Sequence, residues 1–277
     1  MEHKTPGIWR ILLLAGPSSS GKTTTANLLR DRLLTAGHAV EVVSLDDFYL
    51  PPDTPGYPRL PNGALDFEAP EALDIPAVRA CLSAVLRGEE YPMPRFDFRA
   101  GGRARETRPL CIPPQGYLIV EGLHALHPTM VEGISPAQYM GVFVSVSTNI
   151  LRDDGSRLLS GRKLRFLRRL VRDSLYRNSD AARTYTLWQS VLAGEDQYLY
   201  PYRDRAAVSI NSFHDYEVAL LRPFAEPLLA APDAPRTDYT AAVSAAMAAF
   251  LPLAPDAVPD TSLMREFIPG GVYESLY

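Results

Sequence analysis

The stretch Ile11-Leu12-Leu13-Leu14-Ala15-Gly16-Pro17-Ser18-Ser19-Ser20-Gly21-Lys22-Thr23-Thr24 decides the reading of this chain. An apolar run stops at a glycine, crosses a serine-rich turn and enters a helical pattern. Gly16, four intervening residues and Gly21-Lys22-Thr23 match the phosphate-loop spacing G-x-x-x-x-G-K-[ST]. Each residue type has a physical reason. Gly16 and Gly21 let the backbone curl until its N–H groups point at phosphate oxygens. Lys22 adds a point charge on the outer phosphates, and the Thr23 hydroxyl suits Mg²⁺. Ser18, Ser19, Ser20 and Thr24 complete the candidate triphosphate site. A chance glycine turn is the competing reading, and the strand before and helix after it argue against that.

Outward from the loop, strands and helices alternate. Residues 8–15 read as a buried parallel strand. Thr23 to Ala36 reads as a helix with Leu28, Leu29 and Leu33 on one stripe and Gly37 as its stop. Val40 to Leu45 is a second strand, ending at Asp46-Asp47-Phe48-Tyr49. Pro51 to Pro61 is too proline-broken for regular structure. A helix is expected over Pro70 to Arg87, closed by Gly88. Tyr91 to Ile112 suggests two short strands around Ala100-Gly101-Gly102-Arg103. Strands over Tyr117–Glu121 and Tyr139–Ser147 follow. Between Leu151 and Arg183, basic residues from Arg157 to Arg183 fall on helical patterns, and Thr184 to Ala193 continues as helix. A short strand over Ala206–Asn211 and helices over Asp215–Ala230 and Thr237–Leu251 complete the pattern, and nothing regular is assigned beyond Pro252.

This alternation implies an α/β fold, a doubly wound, mostly parallel sheet of the P-loop NTPase class with helices on both faces. It carries a small β-hairpin insertion at about 88–113 and an Arg-rich helical lid at about 157–183. The expected division is a P-loop domain over 1–252 and a C-terminal tail over 253–277.

The 277 residues, 46% of them hydrophobic, suffice for a substantial core. Twenty-eight basic residues against 32 acidic ones, net −4, argue against nucleic-acid binding by the chain as a whole. Cys81 and Cys111 are far apart and in no metal-like spacing, so two reduced, mostly buried thiols in a reducing compartment are expected. The single basic residue Lys4 near Pro6 gives no cleavable signal. No segment approaches the roughly 18–20 apolar residues of a membrane span, so a cytoplasmic location is the expectation.

In parallel sheets ligands bind at the carboxyl ends of the strands. That rule gathers the phosphate loop, Asp46/Asp47 and Glu121 into one cleft. Asp46 and Asp47 suit a carboxylate that takes a hydroxyl proton and aims the oxygen at a γ-phosphate, and equally a turn-capping pair. Glu121 suits a Mg²⁺-side carboxylate, against a capping role. The run through Arg168, Arg169, Arg172 and Arg177 reads as a solvated helix face or as a lid over the triphosphate. His124 and His127 lack nearby cysteines, which favours local hydrogen bonding over a zinc site.

The ordered set Gly16–Thr25, Asp46-Asp47-Phe48-Tyr49, Leu65-Asp66-Phe67-Glu68, Arg95-Phe96-Asp97-Phe98, Val120-Glu121-Gly122-Leu123-His124-Ala125-Leu126, Arg169-Leu170-Val171-Arg172-Asp173, Gly194-Glu195 and Ile210-Asn211-Ser212 resembles the uridine kinase and phosphoribulokinase group of P-loop kinases, most closely its bacterial nucleoside-kinase branch. The likeness covers roughly residues 10–230. It implies Asp46 as catalytic base, Asp66 as the carboxylate on the ribose hydroxyls, Tyr49 and Phe96 beside the acceptor, and Arg169 on the nucleoside side. It implies Arg172 and Arg177 on ATP phosphates with Lys22, and Thr23 and Glu121 around Mg²⁺. The implied reaction is ATP-dependent phosphorylation of a nucleoside 5′-hydroxyl, uridine or cytidine first, in pyrimidine salvage. Homo-oligomerisation stays open.

Several positions depart from that pattern. Phe96 stands where a Tyr is usual, Gly101 or Gly102 near a base-reading His, Asn178-Ser179 after the lid arginine where a Gly is usual, and His127 where the branch tends to have Asn. The stretch Gly56–Gly63 replaces an acidic loop. Most of these changes fall on the acceptor side. Kinases of a sugar phosphate or of pantothenate, and a catalytically silent nucleotide-binding regulator, therefore remain alternatives. A GTPase is disfavoured, since no Asn-Lys-x-Asp motif is present.

Overall fold

The computed structural model describes residues 9–97 and 102–276. Lys4, Pro6, residue 8 of the first expected strand, Phe98, and the turn residues Ala100 and Gly101 lie outside the described residues.

In chain order, β1 (Ile11–Ala15) leads through the phosphate loop to α1 (Lys22–Thr35), followed by β2 (Val40–Ser44) and α2 (Ile75–Arg87). Four short strands come next: β3 (Tyr91–Met93), β4 (Phe96–Asp97), β5 (Gly102–Arg103) and β6 (Arg108–Leu110). After them come β7 (Tyr117–Glu121), β8 (Tyr139–Ser145), β9 (Ile150–Leu151), β10 (Arg157–Leu159), α3 (Gly161–Tyr176) and α4 (Ala181–Gly194). The chain ends with β11 (Val208–Asn211), α5 (Glu217–Ala230), α6 (Asp238–Met247) and short helical turns.

The expected α/β class holds. A five-stranded sheet has the order β11-β8-β1-β7-β2, with β1 pairing in parallel with both β7 and β8. All five residues of β1 are buried, as expected for a parallel strand covered on both faces. Strand β2 is only partly buried and exposes Glu41, consistent with its edge position.

The chain divides into two compact units. The first comprises residues up to Gly16, Thr25–Phe143 and Ala193–Ser209, and the second Pro17–Thr24, Val144–Leu192 and Ile210 onward. In the first, Leu13, Val43, Leu118 and Val120 of the sheet share a core with Val78, Cys81, Leu82 and Val85 of α2. Those α2 positions recur at helical spacing, Asp74 caps the helix by accepting from the Ala77 N–H, and Gly88 closes it with φ 73°. In the second, Leu164, Phe166, Leu167 and Leu170 of α3 pack with Trp188, Leu221, Phe267 and Ile268.

Some boundaries differ from the sequence expectation, for local reasons. The insertion forms two nested antiparallel pairs, β3–β6 and β4–β5, so the expected hairpin is split into two short ladders. The basic stretch opens with the small β9–β10 pair, and its helix breaks after Tyr176. There Asn178 adopts φ 47° and the Ser179 N–H turns back to the Asp173 carbonyl, a left-handed step that Asn tolerates. In α1 the buried face is Thr24 to Asn27, while Leu28, Leu29 and Leu33 are half-buried. Cys81 is buried and its thiol is pushed up to about 12 by burial, whereas Cys111 is exposed and not buried as expected. Among the described residues no helix is long and apolar enough to cross a membrane.

Candidate active site

The phosphate loop takes the shape its sequence requires. Ser19 (φ 57°) and Gly21 (φ 87°) are left-handed, so consecutive N–H groups turn into a concave nest before α1 begins at Lys22. The Pro17 carbonyl accepts from the Ser20 N–H at 3.2 Å and from Lys22 Nζ at 3.1 Å. The hydroxyls of Ser19 and Ser20 are buried without a hydrogen-bond partner among the described residues. Orphaned donors in such a nest suit an oxygen-rich anion.

Helix α3 holds this loop from its carbonyl side. Arg165 donates to the Ser18 carbonyl at 2.9 Å, and Arg169 donates to the Ser18 hydroxyl at 2.8 Å. Arg168, fully buried, reaches the Ser19 carbonyl at 3.5 Å and the Ser212 carbonyl at 2.7 Å, and forms an ion pair with the equally buried Glu217. Burial pushes the Glu217 carboxyl up, against the pull of the Arg168 guanidinium. One turn on, Asp173 gathers Arg172 at 2.7 Å, Arg169 at 3.1 Å and the exposed Arg177 at 3.9 Å. Burial alone would raise the Asp173 carboxyl, but Arg172, Arg169 and Arg177 together hold it below its ordinary value. Arg169, expected on the acceptor side, thus contacts Ser18 and Asp173.

The first unit carries the carboxylates. Glu121 ends β7, buried, in register with Leu14 of β1 on one side and Ser44 of β2 on the other. The carboxyl ends of three strands therefore lie side by side, and Gly16 and Asp46 follow directly from two of them. Gly122 admits no side chain, since a Cβ there would meet Leu45 at 2.7 Å, and this packs the end of β7 against the Asp46 turn. The Ser44 hydroxyl accepts from the Asp46 N–H at 3.3 Å. Asp47 accepts from the Phe96 N–H at 3.3 Å, and burial raises its carboxyl above the ordinary value. The rings of Tyr49 and Phe96 meet at 5.7 Å, and the Tyr49 hydroxyl donates to the Phe67 carbonyl. Ser44, and not either aspartate, caps this turn. Asp66 is buried, accepting from the Glu68 N–H at 3.0 Å and from the Tyr198 hydroxyl at 3.1 Å. His127 bonds Thr129 locally at 2.7 Å. Among the described residues no cluster of three or more His, Cys, Asp or Glu side chains could hold a metal.

The profile of the phosphoribulokinase / uridine kinase family matches residues 11–219. The chain belongs to this family. It is 29% identical over 163 residues to a uridine kinase of Lactobacillus helveticus, covering 59% of this chain and 67% of that one. A uridine kinase of Schizosaccharomyces pombe is 29% identical over 171 residues, covering 62% of this chain but 33% of its own length, so this chain spans about a third of that relative. Among solved structures, the YGR205w protein superposes with a TM-score of 0.50 at 14% identity, covering 70% of this chain and 80% of that one, a likeness of fold alone.

Within this P-loop kinase family frame, Arg165, Tyr198 and Glu266 were not singled out from the sequence, and Arg168 was read only as part of a solvated face or a lid. Arg165 and Arg168 are buried beside Leu164 and Leu167, and their i, i+3 spacing among apolar residues is the one sequence signal for it. Tyr198 lies in a π-helical turn, Glu195–Leu199, just after the quoted Gly194-Glu195 pair, and such turns often mark functional positions. Glu266 accepts from the Thr24 N–H at 3.3 Å and from the Thr24 hydroxyl at 2.9 Å, and no motif announces it.

Proposed function

We propose that this chain is an ATP-dependent kinase that phosphorylates the 5′-hydroxyl of a nucleoside, uridine or cytidine first, releasing ADP. The observation that carries the reading is the register of Glu121 between Leu14 and Ser44, which aligns the strand leading to the phosphate loop with the strand leading to Asp46. The relatives named uridine kinases support the acceptor class.

In this reading Gly16 to Thr24 bind the triphosphate through backbone N–H groups, with Lys22, Arg172 and Arg177 on its oxygens. Asp46 accepts the acceptor hydroxyl proton and aims the oxygen for in-line attack. Asp66 accepts from the sugar hydroxyls, while Tyr49 and Phe96 line the acceptor. The Thr23 hydroxyl and the Glu121 carboxylate offer the hard oxygens that Mg²⁺ takes, and Mg²⁺ commonly uses only one or two protein ligands beside substrate phosphates and water. When bound, the ion neutralises phosphate charge. A role in pyrimidine salvage in the cytoplasm belongs to the same reading.

The test is a coupled ADP-release assay across nucleosides, sugar phosphates and pantothenate. Uridine or cytidine should give the highest kcat/KM. Stimulation by a sugar phosphate or pantothenate alone would move the acceptor class, and stimulation by none with ATP still bound would favour a regulatory binding protein. Asp46→Asn should lower kcat about 10²–10⁴-fold with nucleotide affinity unchanged. Near-normal turnover would remove Asp46 as the base.

A further inference from the structure

We infer that the C-terminal segment 262–268 is a carboxylate stopper on the phosphate loop, with Glu266 standing in for a donor phosphate. The inference rests on the phosphate loop as the donor site. Thr24 is the third residue of α1, in the first turn, where helix N–H groups turn to acceptors outside the helix. Anions bind at such donors. Here the acceptor is Glu266, whose carboxylate takes both the Thr24 N–H (3.3 Å) and the Thr24 hydroxyl (2.9 Å). Glu266 is 4% exposed.

The rest of the segment is built to hold that carboxylate in place. Leu263 lies against Gly21, where a Cβ would come within 2.7 Å of its side chain. Met264, Phe267 and Ile268 are fully buried in the core of the second unit, and the Arg168 guanidinium lies 5.1 Å from the centre of the Phe267 ring. The Ser262 hydroxyl accepts from the Met264 N–H and pairs with the Tyr216 hydroxyl at 3.1 Å. Arg265 ties the preceding turns together through the carbonyls of Pro255, Val258 and Pro259. A charged side chain buried this fully persists only with strong partners, and the helix N-terminus supplies them.

Two anions cannot take the Thr24 donors together. A nucleotide whose phosphate uses them must displace Glu266, and its apparent affinity falls by the fraction of molecules in which the segment is closed. Glu266 thereby sets donor affinity, and the segment loosens when a donor binds.

The experiment measures binding of ATP and of inorganic tripolyphosphate to the full chain by calorimetry, without any acceptor. Glu266→Ala should tighten both at least about tenfold, since competition is for phosphate. Glu266→Gln, which keeps the shape and loses the charge, should tighten them less. A cooperative melt verifies that each variant is folded. Hydrogen exchange supplies a second readout: ATP should speed exchange at 262–268 in the unmodified chain. Unchanged or weaker binding by folded Glu266→Ala overturns the inference. A gain confined to ATP also overturns it, because the clash would then lie with the nucleoside end. Tighter binding without phosphorylation of any acceptor leaves the stopper standing and removes the nucleoside-kinase reading.

Discussion

The two units use charge in opposite ways. In the first, carboxylates stand at strand ends, and Asp46 and Asp47 are half-buried on a turn with few fixed partners. In the second, the charges are paired and sealed: Arg168 with Glu217 at zero exposure, and Asp173 among Arg172, Arg169 and Arg177. A phosphate loop needs backbone N–H groups aimed outward and carbonyls turned away, and the arginines of α3 hold those carbonyls. Arginine suits this because its planar fork satisfies several oxygens at once and stays protonated. An acceptor site needs oxygens that can take protons, which calls for carboxylates less firmly fixed. The contrast teaches that much of the arginine run is scaffold, set where a solvated face or a lid was expected.

The strongest way to break that contrast is Arg168→Met. It leaves Glu217 buried and uncompensated, which costs about 3–5 kcal/mol, read from urea unfolding. Adding Glu217→Leu should restore most of that loss, because a buried pair replaced as a whole is often neutral. Nucleotide binding should stay weak in the double variant, since the carbonyls of Ser19 and Ser212 lose their donor. Recovery of both stability and binding would show that Arg168 serves the core and not the loop.

A smaller effect tests the charges around Asp173. Its folded-state carboxyl is held below the ordinary value, so the stability it contributes is present above the unfolded value near 4 and is lost as pH falls through the folded one. Asp173→Asn should destabilise the chain by about 1.5–3 kcal/mol near pH 7, the worth of hydrogen bonds to charged groups. Unfolding curves of the two proteins should converge as the pH is lowered below about 4. A gap that stays constant with pH would mean that the contribution is packing and not charge.

What was legible in the sequence follows from how local each constraint is. The loop is a contiguous motif whose glycine spacing has one geometric purpose, and β1 and α1 follow from it. Asp46, Asp66 and Glu121 are readable because each ends a strand or belongs to an ordered motif. The arginines were readable as helical but not divisible. Arg165 and Arg168 reach loop carbonyls, Arg169 reaches the Ser18 hydroxyl and Asp173, and Arg172 reaches Asp173, and tertiary packing decides that division. Glu266 lies 242 residues from Thr24, in a segment without periodicity, so nothing local could join them. The strands of the insertion are two or three residues long, too short for a period-2 pattern to show.

The smallest effect sharpens the contrast from the acceptor side. Burial, and then the bond to Asp66, push the Tyr198 phenol up, so it stays a donor at neutral pH. It fixes one oxygen of Asp66, while the Glu68 N–H fixes the other. This is the one described place in the first unit where a proposed acceptor carboxylate is braced on both oxygens by neutral groups. Tyr198→Phe removes one hydrogen bond and should cost about 1 kcal/mol of stability. If Asp66 grips sugar hydroxyls, KM for the ribonucleoside should rise about three- to tenfold with nucleotide affinity unchanged, because only the aim of the carboxylate is lost. Against a 2′-deoxynucleoside, which offers one hydroxyl fewer, the same substitution should matter less. An equal effect on both acceptors would make Tyr198 a prop for the π-helical turn alone. It would also return Asp66 to the class of buried, structurally paired charges that characterises the second unit.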